Sequence, residues 1–244
     1  MRQGVAAHRR DSDRQWASIM WAPVMGCTKV SPGCAHCWAE GYAESPATFS
    51  RVRCCESMLR DPVGWPDGQR VFVSAFGDIF HADVPTAFLD RVFATMRATP
   101  QHVYYVLTKR VDRMAAYLRE VATTGLLANV WAGTSVEDET RARERLPVLR
   151  EVPAARRFVL FEPLLDAVAP EWIAPWLNWV VVGGEVGRAC RPTSLAWARA
   201  LKQEADVQRV PFFMLRGGGQ HAPRQAWDAL PHDLRRRQIP HERG

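Results

Sequence analysis

The sequence predicts an α/β protein built as a partial or complete (βα) barrel of parallel strands. From residue 71 onward, short runs rich in β-branched and aromatic residues alternate with amphipathic stretches, the rhythm of repeated strand–helix units. The runs are almost continuously apolar, which strands covered on both faces require. Predicted strands are Val71–Ser74, Val103–Thr108, Val130–Gly133, Phe158–Phe161, Trp179–Val182 and Phe212–Leu215, preceded by one near Ile19–Val24. Between them, Pro85–Ala98 places Phe88, Leu89, Val92, Phe93 and Met96 at helical spacing, and Asp112–Ala122, Glu137–Arg150 and Leu195–Asp206 behave likewise. Seven strands with crossovers favour a barrel over a flat sheet.

A chain of 244 residues with 47% hydrophobic content can bury a full core and is read as one domain, residues 1–244. Two regions look accessory: a basic N-terminal arm, residues 1–15, and a C-terminal extension, residues 217–244, with three consecutive glycines and an Arg-rich end. No stretch approaches the roughly 18 consecutive apolar residues that span a bilayer, and the first residues lack the apolar centre of a signal peptide. The expectation is a cytoplasmic protein with no membrane partner. A formal net charge of +6, from 32 Lys and Arg against 26 Asp and Glu, mildly favours polyanionic partners such as nucleic acid or nucleotides.

In barrels of this kind the site lies at the carboxyl ends of the strands, and here those ends are polar. In chain order they offer Gly77, Asp78 and His81, then Thr108, Lys109 and Arg110, then Thr134, Ser135 and Glu137, then Glu162, then Gly183, Gly184 and Glu185, and last Arg216. Each has an ordinary alternative: Asp78 suits a turn, Thr134 or Ser135 a helix N-cap, Lys109 a solvated charge. Glu162 resists that reading, because it sits directly behind the apolar run FVLF, where an unpaired charge is costly. The glycines before Glu185 would let backbone approach a ligand while the carboxylate fixes an amine or hydroxyl. Glu162, Glu185 and Lys109 are the candidate catalytic side chains.

The metal candidates are Cys27, Cys34 and Cys37, with six and two residues between them, in a loop bent by Pro32 and Gly33. Such clustering in a reducing compartment points to iron or zinc. A structural zinc site wants a fourth ligand, for which His36, Cys54, Cys55 and Cys190 are candidates. A catalytic cluster gains from having only three, since one iron then stays open.

The stretches WAPVMGCTKVSPGCAHCWAE, VFVSAFGDIFHADVP, LTKR, NVWAGTSVE, FEPLL, VVVGGEVGRACRP and VPFFML together resemble a phage-associated three-Cys-motif family that looks like a branch of the radical S-adenosylmethionine superfamily. The resemblance implies a radical-SAM-like barrel. It further implies a [4Fe–4S] cluster on Cys27, Cys34 and Cys37, with the methionine amine and carboxylate of S-adenosylmethionine on the fourth iron. One electron would then cleave the sulfonium and release a 5′-deoxyadenosyl radical that abstracts a substrate hydrogen. Carried over by position, His36 or Trp38 would lie near the adenine and Ser74, Gly77 and Asp78 at the methionine amine. Thr134, Ser135 and Glu137 would reach ribose or carboxylate, with Thr108 beside them as a further cofactor contact. The superfamily's usual spacing has three residues between the first two cysteines, so the three additional ones here give the loop a different path. The resemblance implies an enzyme modifying or isomerising a phage DNA base, hypermodified thymidine, or a nucleotide, with a flavodoxin or ferredoxin as reductant and the host cytoplasm as location. Lys109, Arg110, Arg188, Arg191 and Arg216 would hold phosphates. The alternatives are the same chemistry on a DNA lesion or a non-nucleic-acid substrate, and a zinc-stabilised binding module without catalysis.

Overall fold

The structure is a computed structural model describing residues 16–186, 189–218 and 230–241. The basic arm, Arg188 and most of the Gly-rich start of the C-terminal extension lie outside the described residues.

Seven parallel strands form one sheet in the order β1, β4, β5, β6, β7, β8, β9. They are β1 (Ile19–Trp21), β4 (Arg70–Val73), β5 (Val103–Thr108), β6 (Val130–Ser135), β7 (Arg156–Phe161), β8 (Trp179–Gly183) and β9 (Phe212–Arg216). The sheet curls but stays open, a half-barrel with β1 and β9 as its edges, in agreement with the expected fold class. Helices α2 (Thr86–Ala98), α3 (Val111–Ala122), α4 (Glu139–Arg150) and α5 (Leu195–Val207) form four of the crossovers. The β7–β8 crossover carries only a 3-10 turn at Pro170–Trp172. Between β1 and β4 lie a small antiparallel pair, β2 (Val24–Met25) with β3 (Arg53–Cys54), and a one-turn helix α1 (Pro46–Phe49). Two-residue strands carry no readable periodicity, so this pair is absent from the sequence expectation.

Each strand alternates strictly between two cores. Val71 and Val73, Tyr104 and Val106, Val159 and Phe161, and Val180 and Val182 join the helices on the convex side. Phe72, Tyr105, Trp131, Phe158, Trp179 and Phe213 fill the concave side, where Trp16 stacks on Tyr105 at 5.4 Å between ring centroids. These rings plug the lower lumen, and among the described residues the lumen opens into a cavity towards the carboxyl ends. Gly133 belongs to the same packing: a Cβ there would lie 2.4 Å from the Phe158 ring.

The β9 edge is covered by the chain's own end. Phe213 bridges Arg237, and Leu230 and Leu234 are buried in the convex core. The covered edge offers no free ladder for another strand. No helix among the described residues is long and apolar enough to cross a membrane.

Candidate functional site

The inward rows continue past the aromatic plug, and polar residues take them over. Phe72 leads to Ser74, Leu107 to Lys109, Trp131 to Ser135, and Leu160 to Glu162, and all eight except Trp131 line one cavity of about 150 Å³ at the strand ends. That is room for on the order of ten waters, a small-molecule site. Its remaining wall is the cysteine loop: Cys27, Cys34, Cys37, His36 and Trp38 all face it, as do Gly77, Asp78, Thr108 and Glu185. Thus thirteen of the fifteen sequence-predicted site residues meet in one place.

The other two stand behind the wall. Thr134 is buried and donates from Oγ1 to the Thr108 carbonyl at 2.7 Å. Glu137 is fully buried; its Oε1 accepts from Ser31 Oγ at 2.6 Å, and its Oε2 accepts from Arg145 Nη1 at 2.9 Å. Neither residue caps α4: the Asp138 carboxylate accepts from the Arg141 backbone N–H at 2.8 Å and does so instead.

The loop begins where only glycine fits. Gly26 has φ +88, and a Cβ there would lie 2.4 Å from the Arg51 carbonyl oxygen. Gly26 N donates to Phe76 O, and Cys27 N to Phe49 O, both at 2.9 Å. Arg110 then holds the first cysteine. Its Nη1 lies 3.4 Å from Cys27 Sγ and 2.9 Å from Asp78 Oδ2, and its Nη2 donates to Thr28 O and Oγ1. Burial pushes the Cys27 thiol up, Asp78 adds to that, and Arg110 opposes it. His81 completes this corner. Its Nδ1 accepts from Asp83 N, which leaves Nε2–H to donate to Thr28 Oγ1 at 2.7 Å, and burial together with Arg110 pushes its pKa down.

Asp78, a turn candidate in sequence, is a hub. It accepts from Thr108 Oγ1 at 2.8 Å, Arg110 Nη1 and Phe80 N. Glu185 is gripped by Arg191 through two guanidinium bonds, at 2.5 and 2.9 Å, and one backbone N–H at 2.8 Å. Burial opposes its ionisation, yet the Arg191 bonds prevail and hold the carboxyl below its usual range. Glu162 pairs with Arg216 at 3.3 Å, and Lys109 Nζ lies 3.6 Å from Glu137. Of the five cations expected to hold phosphates, Lys109, Arg110, Arg191 and Arg216 are therefore committed to internal pairs, and Arg188 lies outside the described residues.

Ser74 differs from its neighbours. It is a non-glycine residue at φ +59, it is buried, and its hydroxyl has no hydrogen-bond partner among the described residues although it lines the cavity. Strain plus an unsatisfied polar group at a cavity wall is the pattern of a ligand contact. Its sequence signal was only its place at a strand end.

All six cysteines are free thiols. Of the proposed fourth zinc ligands, His36 lines the cavity, whereas Cys54, Cys55 and Cys190 do not. Among the described residues, no three His, Cys, Asp or Glu side chains converge on a point where one metal ion would sit.

The fold is similar to solved structures of spore photoproduct lyase. A cysteine-to-alanine variant with dinucleoside spore photoproduct matches with a TM-score of 0.52 at 14% identity, over 83% of this chain and 66% of that one. A cysteine-to-serine variant gives 0.51 at 13% identity, over 86% and 66%. The chain thus spans just under two thirds of those proteins' length. No curated protein matches the sequence. A family match covers residues 11–238, which include every strand and site residue described above, and the chain therefore belongs to the family described as protein of unknown function DUF5131.

Proposed function

We propose that the protein is a radical S-adenosylmethionine enzyme that acts on a nucleotide unit of DNA. The observation that carries this is the placement of Cys27, Cys34 and Cys37 on the wall of a small-molecule cavity at the strand ends that Ser74 and Asp78 also line. A polynuclear cluster needs its thiolates at separate corners rather than round one point. Three free thiols along a cavity wall suit that demand better than they suit a closed mononuclear zinc site. When bound, the [4Fe–4S] cluster would supply the electron that cleaves S-adenosylmethionine to a 5′-deoxyadenosyl radical.

The chain's own residues would bind, orient and exclude water. The Ser74 hydroxyl is available to a cofactor amine or carboxylate, since no protein group among the described residues occupies it. His36 and Trp38 line the cavity as ring side chains, Trp38 packed edge-to-face with Phe76 at 5.4 Å between centroids. The aromatic plug closes the floor and keeps water out. Glu162 and Glu185 present carboxylates already fixed by Arg216 and Arg191, suited to orienting substrate hydroxyl or amine groups. The substrate we favour is a modified phage thymidine base, with a flavodoxin or ferredoxin as electron donor. A second reading, a DNA lesion, is favoured by the dinucleoside spore photoproduct carried by a solved structure of similar fold.

The test is anaerobic reconstitution followed by incubation with S-adenosylmethionine and reductant, adding phage DNA, ultraviolet-irradiated DNA or mononucleotides in separate arms. Expected are about four irons per chain and 5′-deoxyadenosine whose yield rises with one DNA arm. A colourless protein with one zinc and no 5′-deoxyadenosine overturns the reading.

A further inference from the structure

We propose that Glu137 is a positioning residue that clamps the cysteine loop just ahead of Cys34. This rests on the reading of Cys27, Cys34 and Cys37 as cluster ligands. The loop's first end is held by Arg110, as described. Its second end is held by three successive residues. Ser31 Oγ donates to Glu137 Oε1 at 2.6 Å while lying 3.8 Å from Cys34 Sγ. The Pro32 carbonyl accepts from Arg191 Nη2 at 2.9 Å. Gly33 lies so close over the carboxylate that a Cβ would sit 2.3 Å from Glu137 Cγ and 2.5 Å from Oε1. The glycine is there for space, since its backbone is not in the left-handed region.

Burying a carboxylate completely is costly unless it is paired and hydrogen-bonded. Glu137 has Arg145 and Lys109 for charge and Ser31 for the remaining lone pair; Arg145, itself buried, is anchored to the Ser135 carbonyl at 2.7 Å. Two ordinary roles for this glutamate are already filled or ruled out by position: Asp138 caps the helix, and Glu137 does not line the cavity. Its free oxygen capacity is spent on the loop, 106 residues away in sequence. Glu137 and Arg191 therefore fix the backbone from which Cys34 projects, independently of any bound metal.

Full-length Glu137→Gln, Ser31→Ala and Ser31→Thr would be compared with wild type by the alkylation rate of Cys34 in metal-free, reduced protein, with buried Cys190 as the sentinel for general unfolding. Iron retained after reconstitution and gel filtration is the second readout. Expected is roughly tenfold faster alkylation of Cys34 in Glu137→Gln and Ser31→Ala, the worth of one hydrogen bond to a charged group. Cys190 should stay unchanged, Ser31→Thr should restore the wild-type rate, and iron retention should fall in step. Wild-type alkylation of Cys34 in both disruptive variants overturns the clamp, as does equal acceleration at Cys190 in Ser31→Ala. A wild-type protein that takes up no iron overturns the cluster reading, while the alkylation pattern still decides the clamp.

Discussion

The Asp78–Arg110 pair gives the most demanding test of the site's energetics, because its two members should act alike on the fold and oppositely on the first cysteine. Their side chains are only 7% and 15% exposed, and they meet at 2.9 Å. Breaking a buried pair by removing one partner costs about 3–5 kcal/mol. The lower end applies here, since Asp78 keeps Thr108 and Phe80 N while Arg110 keeps Thr28. Asp78→Asn and Arg110→Met should therefore each cost about 3 kcal/mol in urea unfolding of the reduced, metal-free protein. In a domain of this size that is a fall in Tm of roughly 6–12 °C. The double variant should cost less than the sum by about 2 kcal/mol, because neither charge is then stranded. The thiol separates the two partners. Asp78 holds the Cys27 pKa up and Arg110 holds it down, so Asp78→Asn should speed Cys27 alkylation at pH 8 and Arg110→Met should slow it. Additive stabilities, or thiol reactivity moving the same way in both variants, would refute the account.

Three further outcomes follow from single residues. Ser74→Gly relieves a left-handed residue and deletes an unsatisfied hydroxyl, so it should raise stability by roughly 0.5–1 kcal/mol in thermal unfolding while lowering 5′-deoxyadenosine yield; a destabilised variant would contradict the assigned strain. Gly184→Ala places a Cβ 2.4 Å from the Gly218 backbone, which no rotamer can relieve, and should cost about 1–3 kcal/mol; a neutral result would show that the β8 and β9 ends separate freely. His81, with its folded pKa lowered, binds fewer protons than in the unfolded chain once pH drops below about 6.5. Its contribution is thus present above that pH and is lost on acidification towards the folded value, and His81→Gln should flatten this part of the stability–pH curve.

How far the sequence could be read depends on the range of the signal. The six strands from Val71 onward are legible because each is a short local run of apolar β-branched and aromatic residues, and the strand-end rule then points to the cavity without any knowledge of packing. Ser74, Lys109, Ser135 and Glu162 were reachable by continuing the inward-facing parity of Phe72, Leu107, Trp131 and Leu160. Parity fails once the strand ends, and so Glu137, two residues past the inward Ser135, turns behind the wall to meet Ser31. The same limit hid the partners of the charges. Lys109, Arg110, Arg191 and Arg216 read as free cations because sequence shows a charge but not the carboxylate that will neutralise it, and all four carboxylates come from other strand ends or from residues after a turn. A site in which the charges first satisfy one another is held in place before any ligand arrives. Among the described residues facing the cavity, the Ser74 hydroxyl is a group that no protein partner occupies, and it is there that an arriving ligand meets a hydrogen-bonding group not already committed.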